Sequence, residues 1–300
     1  MKALSARQPA RALWLNDCVE LTKPRITLMV VITTAVGMSM AAPGMALASS
    51  PLLVAATLGG TWMLAAGASA LNMWWERDAD ARMRRTGSRP LAAGRLVPEV
   101  ALSLGIGLAI GGTAILSLLV NTTTAVLGTL TLASYVAVYT PLKRVTEWST
   151  LVGAVPGAIP PMMGWAAVTG GLEAPAWALF AILFLWQMPH FYAIAWLYKD
   201  DYAAGGFRTI AVVDPEGSRV ARQTVAFTVL LVLASLSTLA LGVSGMLYGI
   251  GALALGLGFL RAARLFAERR SASAARRLML FSVFYLPGLL GLLVVDRMLL

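Results

Sequence analysis

The sequence predicts an all-α integral membrane protein with nine transmembrane helices, and three observations predict it. Apolar residues make up 58% of the 300-residue chain and charged residues 13%, with a mean hydropathy of +0.75. Soluble domains carry about 25% charged residues, so this chain has too few to cover a soluble surface. Nine apolar runs each approach the roughly 20 residues that a spanning helix needs. Lys and Arg fall between these runs, in segments that nine spans place on a single membrane face. A disordered chain, a collagen, a secreted disulfide scaffold and a water-soluble enzyme are excluded.

The runs are long and do not alternate, as helices require and barrel strands would not. The first covers 26–48. It follows a basic tail, residues 1–25, holding Lys2, Arg7, Arg11, Lys23 and Arg25. No continuous apolar stretch precedes it, so no cleavable leader is expected and the first span should insert and remain. The second, 51–73, carries Gly59, Gly60, Ala65, Ala66, Gly67 and Ala68, small residues that permit close helix packing. The third and fourth, 97–119 and 122–142, are joined by a very short link. Pro156, Pro160 and Pro161 should kink or break the fifth, 149–169, and such irregular backbone is tolerable where it lines a cavity. The sixth, 174–197, ends in an aromatic, histidine-bearing stretch. The seventh is 223–244. The eighth, 246–266, is entered through Gly245 and Gly249, and the ninth is 278–299.

Charge sets the orientation. With nine spans, every Lys and Arg except Arg297 lies on the face of the N-terminus, which is therefore expected to be cytoplasmic or on a mitochondrial matrix side. The C-terminus then lies outside. The net charge of +10 is explained by this asymmetry rather than by nucleic acid. A single cysteine, Cys18, excludes an intrachain disulfide, and one cysteine with one histidine argues against structural zinc. The whole chain reads as one membrane-embedded domain, 1–300.

The basic face also carries the candidate chemistry. In Asn72-Met-Trp-Trp-Glu76-Arg-Asp78-Ala-Asp80, the residues Asn72, Glu76 and Asp80 are spaced four apart, which puts an amide and two carboxylates on one helix face. Like charges so placed repel unless a cation lies between them, and such oxygen ligands suit Mg²⁺ with substrate phosphates. The alternative is a solvated loop whose acids pair with neighbouring arginines. Asp78 points elsewhere. A second acidic group, Asp200 and Asp201, ends the sixth span. Each group is followed by a loop with Gly, Arg and Thr, so the two resemble a degenerate repeat delivering both to one mouth. Glu76, Asp80, Asp200 and Asp201 would balance two Mg²⁺ ions, and Lys143, Arg144, Lys199 and Arg84 could offset a diphosphate. Lys143 and Arg144 serve equally well as plain positive-inside anchors. His190, the sole histidine, is open to three roles: structural hydrogen bonding, proton transfer or haem-iron ligation.

These residues resemble the membrane prenyltransferases of the UbiA superfamily over nearly the whole chain. The resemblance rests on Leu21-Thr-Lys-Pro-Arg25, Asn72…Glu76…Asp80 with Arg84-Arg85-Thr86 and Arg89-Pro90-Leu91, and Tyr139-Thr-Pro-Leu-Lys-Arg144. It continues through Gly153-Ala-Val-Pro-Gly-Ala-Ile-Pro-Pro161, Gly164-Trp165, and Trp186-Gln-Met-Pro-His-Phe191 with Asp200-Asp-Tyr202. The Trp-Gln-x-Pro-His-Phe stretch resembles the haem-modifying branch, and quinone-type members are expected to be more acidic there. The resemblance implies a nine-helix bundle around a central cavity open sideways to lipid. It implies Mg²⁺-dependent transfer of farnesyl from farnesyl diphosphate to the C2 vinyl group of haem B. Hydration then gives haem O for terminal oxidases, and His190 is the candidate haem-binding residue. A bacterial inner membrane follows, with haem A synthase or oxidase assembly factors as partners. A UbiA-type enzyme for a quinone precursor or chlorophyllide is the alternative. A secondary transporter is disfavoured because its coupling sites usually lie near the bilayer midplane.

Overall fold

The computed structural model describes residues 10–42 and 49–299. Among the described residues the chain is helical, without strands. In order come α1 (Ala10–Leu21), α2 (Pro24–Ala41), α3 (Pro51–Asp80), α4 (Pro98–Leu119) and α5 (Thr122–Ala133). A π-helical turn (Ser134–Tyr139) leads into α6 (Thr140–Leu142), then α7 (Ser149–Ala158), α8 (Pro160–Thr169), α9 (Ala174–Leu197) and α10 (Lys199–Ala204). The chain closes with α11 (Ile210–Val213), α12 (Ser218–Ala240), α13 (Met246–Arg269) and α14 (Ala272–Leu299). Nine helical segments among the described residues are long and apolar enough to cross a membrane, counting Thr122–Leu142 and Ser149–Thr169 as one each. The protein is thus a multi-pass integral membrane protein.

Local chemistry sets the helix starts. Proline occupies the first turn of α2, α3, α4, α8 and α9, where its missing N–H costs nothing and its fixed φ suits the helix. The Asn121 side chain caps α5 by accepting from the Thr124 N–H at 2.9 Å. Gly170, at φ +78°, ends α8 in the left-handed conformation. Asp296, near the end of α14, accepts from the backbone N–H groups of Gly245 and Tyr248, so one span caps the start of another.

Several boundaries differ from the apolar runs. α3 continues seven residues past the expected end, so Asn72, Glu76 and Asp80 share one unbroken helix. α12 and α14 start earlier than expected, and α13 ends later, because Ala- and Arg-rich flanks hold a helix without being apolar. The first run reached 48, but α2 ends at Ala41, and 43–48 lie outside the described residues, as do Lys2, Arg7 and the Arg11 side chain. Part of the expected tail is helix α1. It packs on α3 and is tied down by Arg95, which pairs with Asp17 at 2.8 Å and Glu20 at 3.3 Å.

The fifth span breaks at Ile159, between α7 and α8, as its prolines predict. Gln187 of α9 fills this break, and its amide donates to the carbonyl oxygens of Ala154 and Leu183. The fifth and sixth spans are the most enclosed, while α4 and the fourth span lie on the outside of the bundle. Successive spans pack as neighbours, and α14 returns to touch α2.

Small residues set the closest crossings. A Cβ on Gly164 would stand 1.9 Å from the Thr34 carbonyl oxygen, and one on Gly37 would stand 2.0 Å from that of Pro161. These glycines let α2 and α8 meet backbone to backbone. Gly60 and Gly67 do the same for α3 against α4, whereas Gly59 faces open space. Gly164→Ala should therefore destabilise the protein by about 1–3 kcal/mol, read as a lower Tm in detergent. Gly59→Ala should leave Tm unchanged, and equal Tm shifts would contradict this packing.

Candidate active site

The last two turns of α3 point Asn72, Glu76 and Asp80 inward, all three buried to 4% exposure or less. Each is held by a different cation of the chain. Lys23 Nζ donates to Asn72 Oδ1 at 2.8 Å, Lys143 Nζ to Glu76 Oε1 at 2.8 Å, and Arg89 to Asp80 Oδ2 at 2.7 Å. Asn72 Nδ2 donates to Thr140 Oγ1 at 3.1 Å, which fixes its amide. The acids are thus neither solvated nor paired along their own helix. Breaking either buried ion pair, Lys143–Glu76 or Arg89–Asp80, on one side costs about 3–5 kcal/mol. Asp78 lies outside this group, with its side chain 76% exposed and 3.7 Å from Arg77.

The three cations come from three separate places. Lys23 precedes Pro24 with φ +46° and ψ 64°, a conformation disfavoured for a side-chain-bearing residue and unusual before proline. This strained turn enters α2 and carries the ammonium to Asn72. Burial and the neighbouring Arg89 push the Lys23 pKa down to about 7. Lys143 follows the π-helical turn. That turn is closed by Thr140 Oγ1 donating to the Tyr135 carbonyl at 2.8 Å, and π turns recur at functional sites. Burial pulls the Lys143 ammonium down, but Tyr139 and Glu76 outweigh it and hold its pKa above the ordinary lysine value. Arg89 comes from the loop after α3.

Asp200 and Asp201 stand apart from this arrangement. Asp201 accepts from the Arg85 backbone N–H at 3.1 Å and lies 3.9 Å from Arg84, while Asp200 is exposed. Together with Arg84, Arg85, Leu197 and Tyr198 they line a cavity of about 470 Å³. Among the described residues no three acid, histidine or cysteine side chains converge as one metal cage. Asp201 thus meets the loop that follows α3, through the Arg85 backbone, while Glu76 and Asp80 are held by Lys143 and Arg89. The two loops do meet. Arg208 N donates to the Lys143 carbonyl at 2.7 Å, and Phe207 packs on Ala79 and Met83. Arg84 is 93% exposed at its side chain, Arg144 is exposed, and Lys199 rests over the Trp196 ring at 4.9 Å.

Asp80 tests whether a metal suits this site. Its Oδ2 is paired with Arg89, while its Oδ1 is buried and finds no hydrogen-bond partner among the described residues. An orphaned buried carboxylate oxygen is costly, and beside Glu76 and an amide oxygen it is a donor that suits a hard cation. The residues fit a divalent ion.

His190 lies on α9, stacked on Trp186 with ring centroids 5.0 Å apart. Its Nδ1 is 2.7 Å from Ser282 Oγ of α14. Ser282 donates its only hydroxyl proton to the Met279 carbonyl at 2.6 Å. With the Ser282 proton on Met279, His190 Nδ1–H donates to Ser282 and Nε2 keeps the lone pair; the other tautomer accepts the Ser282 proton at Nδ1 instead. Lys23, Arg89, Thr140 and Ser282 were not identified from the sequence. Only the Lys-Pro and Arg-Pro contexts of the first two stand out there, and neither names a partner.

The family model of the UbiA prenyltransferase family matches residues 30–284. The chain is 47% identical over 289 residues to a protoheme IX farnesyltransferase of Solibacter usitatus, covering 94% of this chain and 99% of that protein. It is 42% identical over 291 residues to the protein of that name from Opitutus terrae, covering 97% of each. A solved digeranylgeranylglyceryl phosphate synthase shares the fold at TM-score 0.78 and 16% identity, over 95% of this chain and 99% of that one. So does a UbiA homologue of Archaeoglobus fulgidus bound to GPP and Mg²⁺, at TM-score 0.64 and 14% identity, over 92% and 99%. This chain belongs to the UbiA prenyltransferase family.

Proposed function

We propose that this protein transfers the farnesyl group of farnesyl diphosphate to the C2 vinyl group of haem B and, with addition of hydroxide from water, makes haem O. The observation that carries the reading is 47% identity over 94% of the chain to a protoheme IX farnesyltransferase. The same reading makes Mg²⁺ the cofactor, held by Glu76 and Asp80 with the Asn72 amide. When bound, the ion stabilises charge on the departing diphosphate oxygens.

The chain's own side chains do the rest. Lys143 and Arg89 pair with Glu76 and Asp80, and Lys23 donates to the Asn72 amide oxygen. As an anionic diphosphate arrives they can turn toward it without moving far, offering charge-assisted hydrogen bonds. Arg84, Arg144 and Lys199 line the approach, and Asp200 and Asp201 are the acids of the facing loop. The enclosing helices keep bulk water from the allylic cation before the vinyl carbon attacks. His190 is the proposed haem contact. Diphosphate release measured with haem B, a quinone precursor or chlorophyllide as acceptor tests the reading. Turnover is expected with haem B alone.

The bacterial inner membrane, with the N-terminus in the cytoplasm, completes the proposal. Haem A synthase and oxidase assembly factors are its proposed partners. A reporter fused after Leu300 should behave as periplasmic. A cytoplasmic signal would remove one span from the topology.

A further inference from the structure

The ends of α13 and α14 that lie on the site's side of the bundle flank a half-open groove that the transfer reaction does not use. It measures about 480 Å³ and is lined by Leu257, Leu260, Arg261, Arg264, Leu265, Glu268, Arg269 and Arg277. The α13 residues among them recur at three- and four-residue steps, so they form one stripe. Along that stripe the chemistry changes in one direction. Leu253 and Leu257 are exposed apolar residues below, and Arg261 and Arg264 stand one and two turns above. α14 repeats the pattern, with Arg277 above and exposed Leu280 and Phe284 below it at helical spacing.

The four arginines are exposed, and among the described residues none makes an ion pair or a hydrogen bond through its guanidinium. Glu268 is the sole acid in the wall. Arg95, Arg89 and Arg219 on this face are paired, whereas Arg208 and Arg222 are unpaired among the described residues but do not line the groove. Four unpaired guanidiniums above an apolar groove between two spans match one kind of molecule, which has an anionic phosphodiester above and acyl chains below.

We propose that this groove binds an acidic glycerophospholipid of the cytoplasmic leaflet. Arg261, Arg264 and Arg277 take the phosphodiester, with forked donors that suit phosphate, and the leucine stripe takes an acyl chain. Basic pockets between spans on this side of a membrane select anionic headgroups. A choline headgroup would bring its own positive charge against the arginines, so phosphatidylcholine is the weaker ligand. Free phosphate would leave the apolar stripe unused.

The test uses the full-length protein reconstituted in phosphatidylcholine nanodiscs with graded phosphatidylglycerol. It is then extracted in mild detergent, and the retained lipid is identified by mass analysis. Phosphatidylglycerol should be enriched about tenfold or more over its share of the bilayer. Arg264→Gln with Arg277→Gln should remove most of that enrichment while leaving Tm unchanged. Arg208→Gln with Arg222→Gln, on the same face but outside the groove, should preserve it. Inorganic phosphate in millimolar excess should not displace the lipid. The proposal is overturned if wild type retains both lipids in bilayer proportion, if both double variants lose the enrichment equally, or if phosphate alone displaces the lipid. Should the Arg264 and Arg277 pair fail to fold, the wild-type enrichment and the phosphate competition still decide it.

Discussion

Asp80→Asn is expected to lower farnesyl transfer by roughly 10²–10³-fold, the range lost when one preorganised electrostatic group is removed from a buried site. The substitution keeps size and shape. It removes the charge that Arg89 balances at 2.7 Å, and it replaces a carboxylate whose Oδ1 has no protein partner. Two consequences follow. Metal affinity should fall, because one anionic ligand is gone. Arg89 should be left buried beside a neutral amide, so a moderate loss of Tm is also expected. Metal titration in the presence of farnesyl diphosphate separates these effects. An Arg89→Gln variant should share the stability loss while keeping more of the metal affinity. Asp78→Asn is the control, since that side chain is solvated. Near-normal turnover in Asp80→Asn would remove Asp80 from the metal site.

His190→Ala should weaken haem binding by about tenfold or more, in the range lost when a group that supports a metal centre is removed, while farnesyl diphosphate binding survives. The geometry distinguishes this from simple loss of packing. Ser282 holds Nδ1 of the imidazole at 2.7 Å, and the stacked Trp186 fixes the ring plane. Trp186 is itself anchored, because its indole N–H donates to the Ser282 carbonyl at 2.9 Å. Contact of His190 with the haem iron should show in the haem absorbance spectrum. Ser282→Ala should then change the haem spectrum less than His190→Ala, since it loosens the ring without removing it. Equal loss of both substrates together with lower Tm would reduce His190 to a packing residue.

The parts of this account legible in the sequence are those with short-range signatures. The spans follow from apolar runs, the break in the fifth span from its prolines, and the Asn72–Glu76–Asp80 face from four-residue spacing. The cations that complete that face were not legible. Lys23 lies 49 positions from Asn72 and Lys143 lies 67 from Glu76, and only the packed bundle brings them together. The π-helical turn that sets Thr140 and Lys143 has no sequence signature of its own. Asp200 and Asp201 are legible as a second acidic group, but the atoms that meet Asp201, the Arg85 backbone N–H at 3.1 Å among them, are set only by the packed loops. The helix α1 was hidden because its sequence is neither apolar enough for a span nor visibly periodic.

The identity of the acceptor is the central claim, and one measurement addresses it directly. The purified full-length protein is incubated with haem B, farnesyl diphosphate and Mg²⁺, and the extracted haem is analysed by mass. The account predicts a haem heavier by one farnesyl group and one hydroxyl group, formed with release of diphosphate and abolished by a chelator. Unmodified haem, from a preparation that prenylates a quinone precursor under the same conditions, would contradict it.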